Sequence, residues 1–168
     1  MKKLIFAASL LGLFFVSCSE DDDNGNQNMP TGVLVSKTVE TGTDGEYTSD
    51  FVYNGNKLVK ITSDDGALFE ATYAGDNIVK FTYKDPDGVV YQTDNFLYDS
   101  QGRLASYTLI EPLDGLGYKE VYTYDSNGNV AMAAFNGDTS SQTNPVGTGS
   151  VTFANGEVSV IETASGST

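Results

Sequence analysis

From Glu46 to Lys84, apolar and polar residues alternate. Tyr47, Phe51 and Tyr53 share one parity, as do Val59 with Ile61, Phe69 with Ala71 and Tyr73, and Val79 with Phe81 and Tyr83. The positions between them read Glu46, Thr48, Asp50, then Lys60, Thr62, then Glu70, Thr72, then Lys80, Thr82, Lys84. A period of two puts the two sets on opposite faces of β-strands, one dry and one wet. From Val89 onward the alternation blurs. Val89-Val90-Tyr91 and Val130-Ala131-Met132-Ala133 are apolar on both faces, which marks this half as the place where the sheet bends, bulges or is covered twice.

Turn residues punctuate this pattern: Thr43-Asp44-Gly45, Asn54-Gly55-Asn56, Asp64-Asp65-Gly66, Gly75-Asp76-Asn77, Asp85-Pro86-Asp87-Gly88, Asp99-Ser100-Gln101-Gly102, Asp114-Gly115, Asp125-Ser126-Asn127-Gly128, the stretch from Asn136 to Gly147, and Asn155-Gly156. Asn-Gly and Asp-Gly supply the positive φ that hairpin turns need, and an Asp side chain accepts from the turn amides. Ten turns predict eleven strands in an antiparallel meander. No helical period appears after residue 30, so no helix can cover the dry face. Eleven strands exceed the roughly ten that an open twisted sheet sustains. The expected fold is therefore all-β, curled into an open barrel or a two-layer roll. Hairpin centres near residues 55, 65 and 75 predict a wet row of Asp50, Lys60, Glu70 and Lys80, with Phe51, Val59, Ala71 and Val79 in a dry row. Residues 136–149, rich in Ser, Thr, Asn and Gly, read as the longest loop.

The chain has 168 residues, enough for one ordinary domain. It carries 9 Lys+Arg against 23 Asp+Glu, a formal charge of −14, with no His, no Trp and one Cys. Such a charge argues against nucleic acid and against electrostatic attachment to an anionic membrane. The absence of His removes an imidazole base and ordinary zinc sites, and one Cys forbids an intramolecular disulfide.

The first residues read as an address. Lys2 and Lys3 precede 13 uncharged residues, Leu4 to Val16, a run too short to span a bilayer and of the length of a signal-peptide core. Phe15-Val16-Ser17-Cys18 then resembles a bacterial lipobox, with Phe15 where Leu is usual. The resemblance implies cleavage after Ser17 and acylation of Cys18; the alternative is an ordinary secretory peptide with an incidental Cys. Ser19-Glu20-Asp21-Asp22-Asp23 is similar to the acidic export signal of Bacteroidota-type surface lipoproteins, which implies display on the outer leaflet of the outer membrane. The alternative for this run is a solvated linker. Either way residues 18–30 are an acidic tether that cannot bury a core. The expected organisation is a signal peptide at 1–17, the tether at 18–30 and one β-meander domain at 31–168.

Tyr98-Asp99-Ser100-Gln101-Gly102-Arg103-Leu104 and Tyr124-Asp125-Ser126-Asn127-Gly128-Asn129-Val130 resemble the YD repeat of Rhs-type proteins, Tyr-Asp-x-x-Gly-Arg-Leu. Reduced copies stand at Tyr53–Leu58, Tyr73–Ile78 and Phe153–Val158. The likeness covers about residues 46–163 and implies hairpins, as in short YD-like surface lipoproteins. It brings no catalytic residue with it.

Little in the sequence points to chemistry. Asp-rich turns such as Asp85-Pro86-Asp87-Gly88 are explained by turn formation, and no segment has an EF-hand or Gly-Gly-x-Gly-x-Asp pattern, so no metal or other cofactor is expected. Nothing singles out a carboxylate pair for glycoside hydrolysis. Tyr91, Tyr107, Tyr118, Tyr122 and Tyr124 either pack a core or form an aromatic platform for sugar or peptide. The expected protein is a non-catalytic, lipid-anchored cell-surface binding or interaction module, with an accessory glycan-binding or glycan-processing protein as the alternative. Its expected partners are the membrane, through acylated Cys18, and an envelope protein or glycan, with no nucleic acid. The strand Glu157 to Thr163 is the natural edge for strand addition.

Overall fold

The computed structural model describes residues 33–43, 45–155 and 157–165. The expected signal peptide and tether, with Cys18, Ser19, Glu20, Asp21, Asp22 and Asp23, lie outside the described residues. The strands are β1 (Lys37–Gly42), β2 (Gly45–Asn54), β3 (Lys57–Ser63), β4 (Leu68–Ala74), β5 (Asn77–Lys84), β6 (Val90–Tyr98), β7 (Leu104–Glu111), β8 (Leu116–Tyr124), β9 (Val130–Gly137), β10 (Gln142–Ala154) and β11 (Glu157–Ser165). They form one sheet in strict chain order, every neighbour antiparallel, as the turn spacing predicts. The sheet stays open, with β1 and β11 as its two edges, rather than closing into a barrel.

The dry face is where alternation placed it. Ile61 and Phe69 are each 1% exposed and pair across β3 and β4, while Tyr83 and Ala134 are also buried. An aromatic chain crosses neighbouring strands: Phe69 to Phe81 at 4.9 Å, Phe81 to Phe96 at 5.1 Å, and Phe96 to Tyr107 at 5.5 Å between ring centroids. These tilted and edge-on contacts give a single sheet a lateral core. On the wet face Lys60 lies opposite Glu70, and the Glu70 carboxylate accepts from Lys84 Nζ at 2.6 Å.

The expected register holds at β3–β4 and fails at the hairpins on either side. Asp50 lies opposite Thr62, and Glu70 opposite Thr82. The rows through the dry face are Phe51, Ile61, Phe69 and Tyr83, and beside them Ala71, Phe81, Asp94 and Leu109. Faces are preserved because the displacement is two residues. The cause is a bulge: Val59 and Val79 are each the extra residue in the second strand of a hairpin with a two-residue loop. Ala105 and Ser159 occupy the same place in the β6–β7 and β10–β11 hairpins, whereas β8–β9 runs without a shift. A bulge leaves one residue unpaired and disrupts the ladder beside it.

Residues 136–149 are a second correction. β9 continues to Gly137 and β10 begins at Gln142, so the connection is a tight turn. Asp138 Oδ1 accepts from the amides of Ser140 at 2.7 Å and Ser141 at 2.9 Å. Gly137 allows that turn to fold back, since a Cβ there would meet the Ser141 carbonyl and lie 2.7 Å from Gln142 Cα. Pro145 is accommodated where the β9–β10 register shifts.

Candidate functional site

The dry face carries polar chemistry where β5, β6, β7 and β8 run side by side. Asp94 has the parity of Phe96 and therefore points among the rings, and it is 6% exposed. Its Oδ1 accepts from Gln92 Nε2 at 3.0 Å and from the Tyr107 hydroxyl at 3.2 Å, and Tyr83 bonds to the same carboxyl. Burial pushes the Asp94 carboxyl above its ordinary value, against the opposing effect of those hydrogen bonds. Burial, then the nearby Asp94 charge, raises Tyr83 and Tyr107 well beyond the usual phenol range.

One strand further, Glu120 lies directly opposite Tyr107. It accepts from the Tyr118 hydroxyl at 2.6 Å and from the Tyr122 hydroxyl. Burial and the Glu120 hydrogen bond push Tyr118 up to about 12. Tyrosines at i−2 and i+2 of one strand share a face with residue i, so the Tyr-x-Glu-x-Tyr order of β8 builds this cluster locally. Two carboxylates and four tyrosines thus make one polar row within the aromatic face. Asp94 is buried within it, while the part-buried Glu120 and its two tyrosines place oxygen acceptors beside π-faces, a chemistry suited to hydroxyl-rich or peptide ligands.

Of the tyrosines singled out in the sequence, Tyr107, Tyr118, Tyr122 and Tyr124 share this face. Tyr91 is the extra residue of the β5–β6 bulge, with its ring 6.1 Å from Tyr83. Asp94 and Glu120 were not singled out, although parity with Phe96 and with Tyr118 and Tyr122 marks both. The turn acids are engaged locally. Asp85, Asp99 and Asp125 each accept at Oδ1 from two amides of their own Asp-x-x-Gly turn, at 2.8–3.1 Å. Among the described residues, no three Asp, Glu, His or Cys side chains group closely enough to hold a metal ion.

The Tyr-Asp segments repeat a contact. Tyr73, Tyr98 and Tyr124 donate to the carbonyls of Leu58, Ile78 and Leu104 at 2.9, 2.9 and 2.8 Å, each reaching back to the aliphatic residue of the preceding copy. Tyr53 does the same to Val35 at 2.9 Å. In two copies the residue before the aliphatic is a cation over the next tyrosine: Lys57 Nζ is 5.4 Å from the Tyr73 ring, and the Arg103 guanidinium 4.2 Å from that of Tyr124. No family model matches the chain, and no curated protein matches it in sequence.

Proposed function

We propose that this chain is a non-catalytic, lipid-anchored protein of the outer membrane, facing the cell exterior, and that it serves as a binding or interaction module. The observation that carries the reading is the open sheet: eleven strands end in two edges, and β11 presents exposed Val158, Val160 and Ile161. An unpaired edge with apolar side chains is the surface that strand-adding partners use. The carboxylates of the aromatic face are held by tyrosine hydroxyls, which favours a structural or binding role for them over proton transfer. Anchoring rests on Lys2-Lys3, the short apolar run and Cys18, and surface display on Glu20 to Asp23. The Tyr-to-carbonyl contacts recurring from copy to copy support kinship with YD-repeat proteins.

A second reading, an accessory glycan-binding or glycan-processing protein, is favoured by the Asp94–Tyr107–Glu120 row alone. Screening the protein against envelope proteins and glycans separates the two. Capture of an envelope protein with no glycan bound supports the first reading. Glycan binding lost on Tyr107→Ala, or turnover abolished by Glu120→Gln, supports the second.

A further inference from the structure

At the end of the sheet that carries the Tyr-Asp copies, each bulged hairpin with a strand beyond it receives a tyrosine from that strand. β4 supplies Tyr73 to Leu58, β6 supplies Tyr98 to Ile78, and β8 supplies Tyr124 to Leu104, beside the bulges at Val59, Val79 and Ala105. The β8–β9 hairpin has no bulge, and there the following strand brings Phe153, which has no hydroxyl to give. At this end of the sheet each such bulge has its tyrosine; the bulges at the opposite end, in β5–β6 and β9–β10, are without it, since Tyr107 of β7 donates to Asp94 and β11 contains no tyrosine. The β10–β11 hairpin is bulged at Ser159, and among the described residues no strand follows β11. By the rule of this end of the sheet, the Val158 carbonyl calls for a hydroxyl from a twelfth strand.

We infer that the outer edge of β11 is a docking strand for an antiparallel, tyrosine-bearing segment of another protein, whose hydroxyl caps the Val158 carbonyl. A second copy does not meet the requirement, because neither exposed edge, Lys-Thr-Val-Glu-Thr-Gly in β1 nor Glu-Val-Ser-Val-Ile-Glu-Thr-Ala-Ser in β11, contains a tyrosine. The neighbouring side chains describe the rest of the segment. Val158 and Ile161, 54% and 68% exposed, lie toward the aromatic face, and Val160, 45% exposed, on the other. Apolar residues on both faces of the incoming strand would cover them. Glu157, Glu162 and the chain's charge of −14 select a basic residue beside the tyrosine. The inference rests on the interaction-module reading and specifies the partner's chemistry.

A peptide with the sequence of β8, Leu-Gly-Tyr-Lys-Glu-Val-Tyr-Thr-Tyr, is a direct probe, since β8 plays this part toward β7. Its binding to the full chain is measured by calorimetry, with hydrogen exchange locating the site, against the same peptide carrying Phe as its last residue. The inference expects slowed exchange in β11 and binding about fivefold weaker for the Phe peptide. Equal affinity for the two peptides, or no binding by either, overturns it. Protection elsewhere on the sheet also overturns it, while leaving an interaction module in place.

Discussion

Tyr98 in β6 donates its hydroxyl to the Ile78 carbonyl of β5 at 2.9 Å, next to the bulge at Val79. One residue inserted in a ladder is thus answered by a side chain 20 positions away in sequence. The same pairing at Tyr73 and Tyr124 gives the meander a repeating lateral bond, and burial raises the hydroxyls of Tyr73 and Tyr98.

Removing a capping hydroxyl leaves a part-buried carbonyl without it. Tyr98→Phe and Tyr124→Phe are each expected to cost about 1 kcal/mol in urea unfolding. Phe153→Tyr is expected to change stability by less than about 0.5 kcal/mol, because the β8–β9 hairpin has no bulge to satisfy.

Asp94 sets a pH dependence. Its folded carboxyl lies above the ordinary 3.8 because it is buried. Between the unfolded and folded values the folded chain holds a proton that the unfolded chain has released. The stability this group contributes is therefore fully present below the unfolded value and is lost as pH rises through the folded one. Urea midpoints measured from pH 3 upward are expected to show that loss in the native chain and not in Asp94→Asn. The turn acids Asp99, Asp125 and Asp138, lowered by their hydrogen bonds, act in the opposite sense in both proteins, so the difference between the two curves isolates Asp94.

Two glycines separate strain from collision. Gly102 closes the Asp99 turn at φ 78° with nothing near its missing Cβ, so Gly102→Ala is expected to cost about 1–2 kcal/mol, from the left-handed backbone alone. Gly137→Ala is expected to cost more, because its Cβ collides with the backbone at Ser141 and Gln142. Thermal unfolding of the two variants gives the order.

Strand number, order and the dry face were legible because alternation and turn residues act locally. Register was not legible at β2–β3 and β4–β5. Val59 and Val79 look like ordinary strand residues, and their bulges are stabilised by Tyr73 and Tyr98 on the next strands. The β9–β10 connection was misjudged because Ser, Thr, Asn and Gly serve a long edge-side strand as well as a loop, and what shortens the turn is the close backbone approach at Gly137. Asp94 and Glu120 carried a readable signal, their parity with aromatic neighbours, although their convergence through Tyr107 depends on pairing between strands.

The acidic run has its own consequence. Substituting Glu20, Asp21, Asp22 and Asp23 together with Ala is expected to leave the protein in the membrane fraction and remove its sensitivity to protease added to intact cells. Unchanged sensitivity rejects the export signal.

Anchoring through Cys18 is the central claim, and fractionation of cells producing Cys18→Ala tests it most directly. At a formal charge of −14, headgroup electrostatics would repel the protein, so the proposed attachment to a membrane requires acyl chains. The native chain is expected to pellet with membranes and Cys18→Ala to appear in the soluble fraction with its sheet folded. A Cys18→Ala protein that still pellets with membranes contradicts the account.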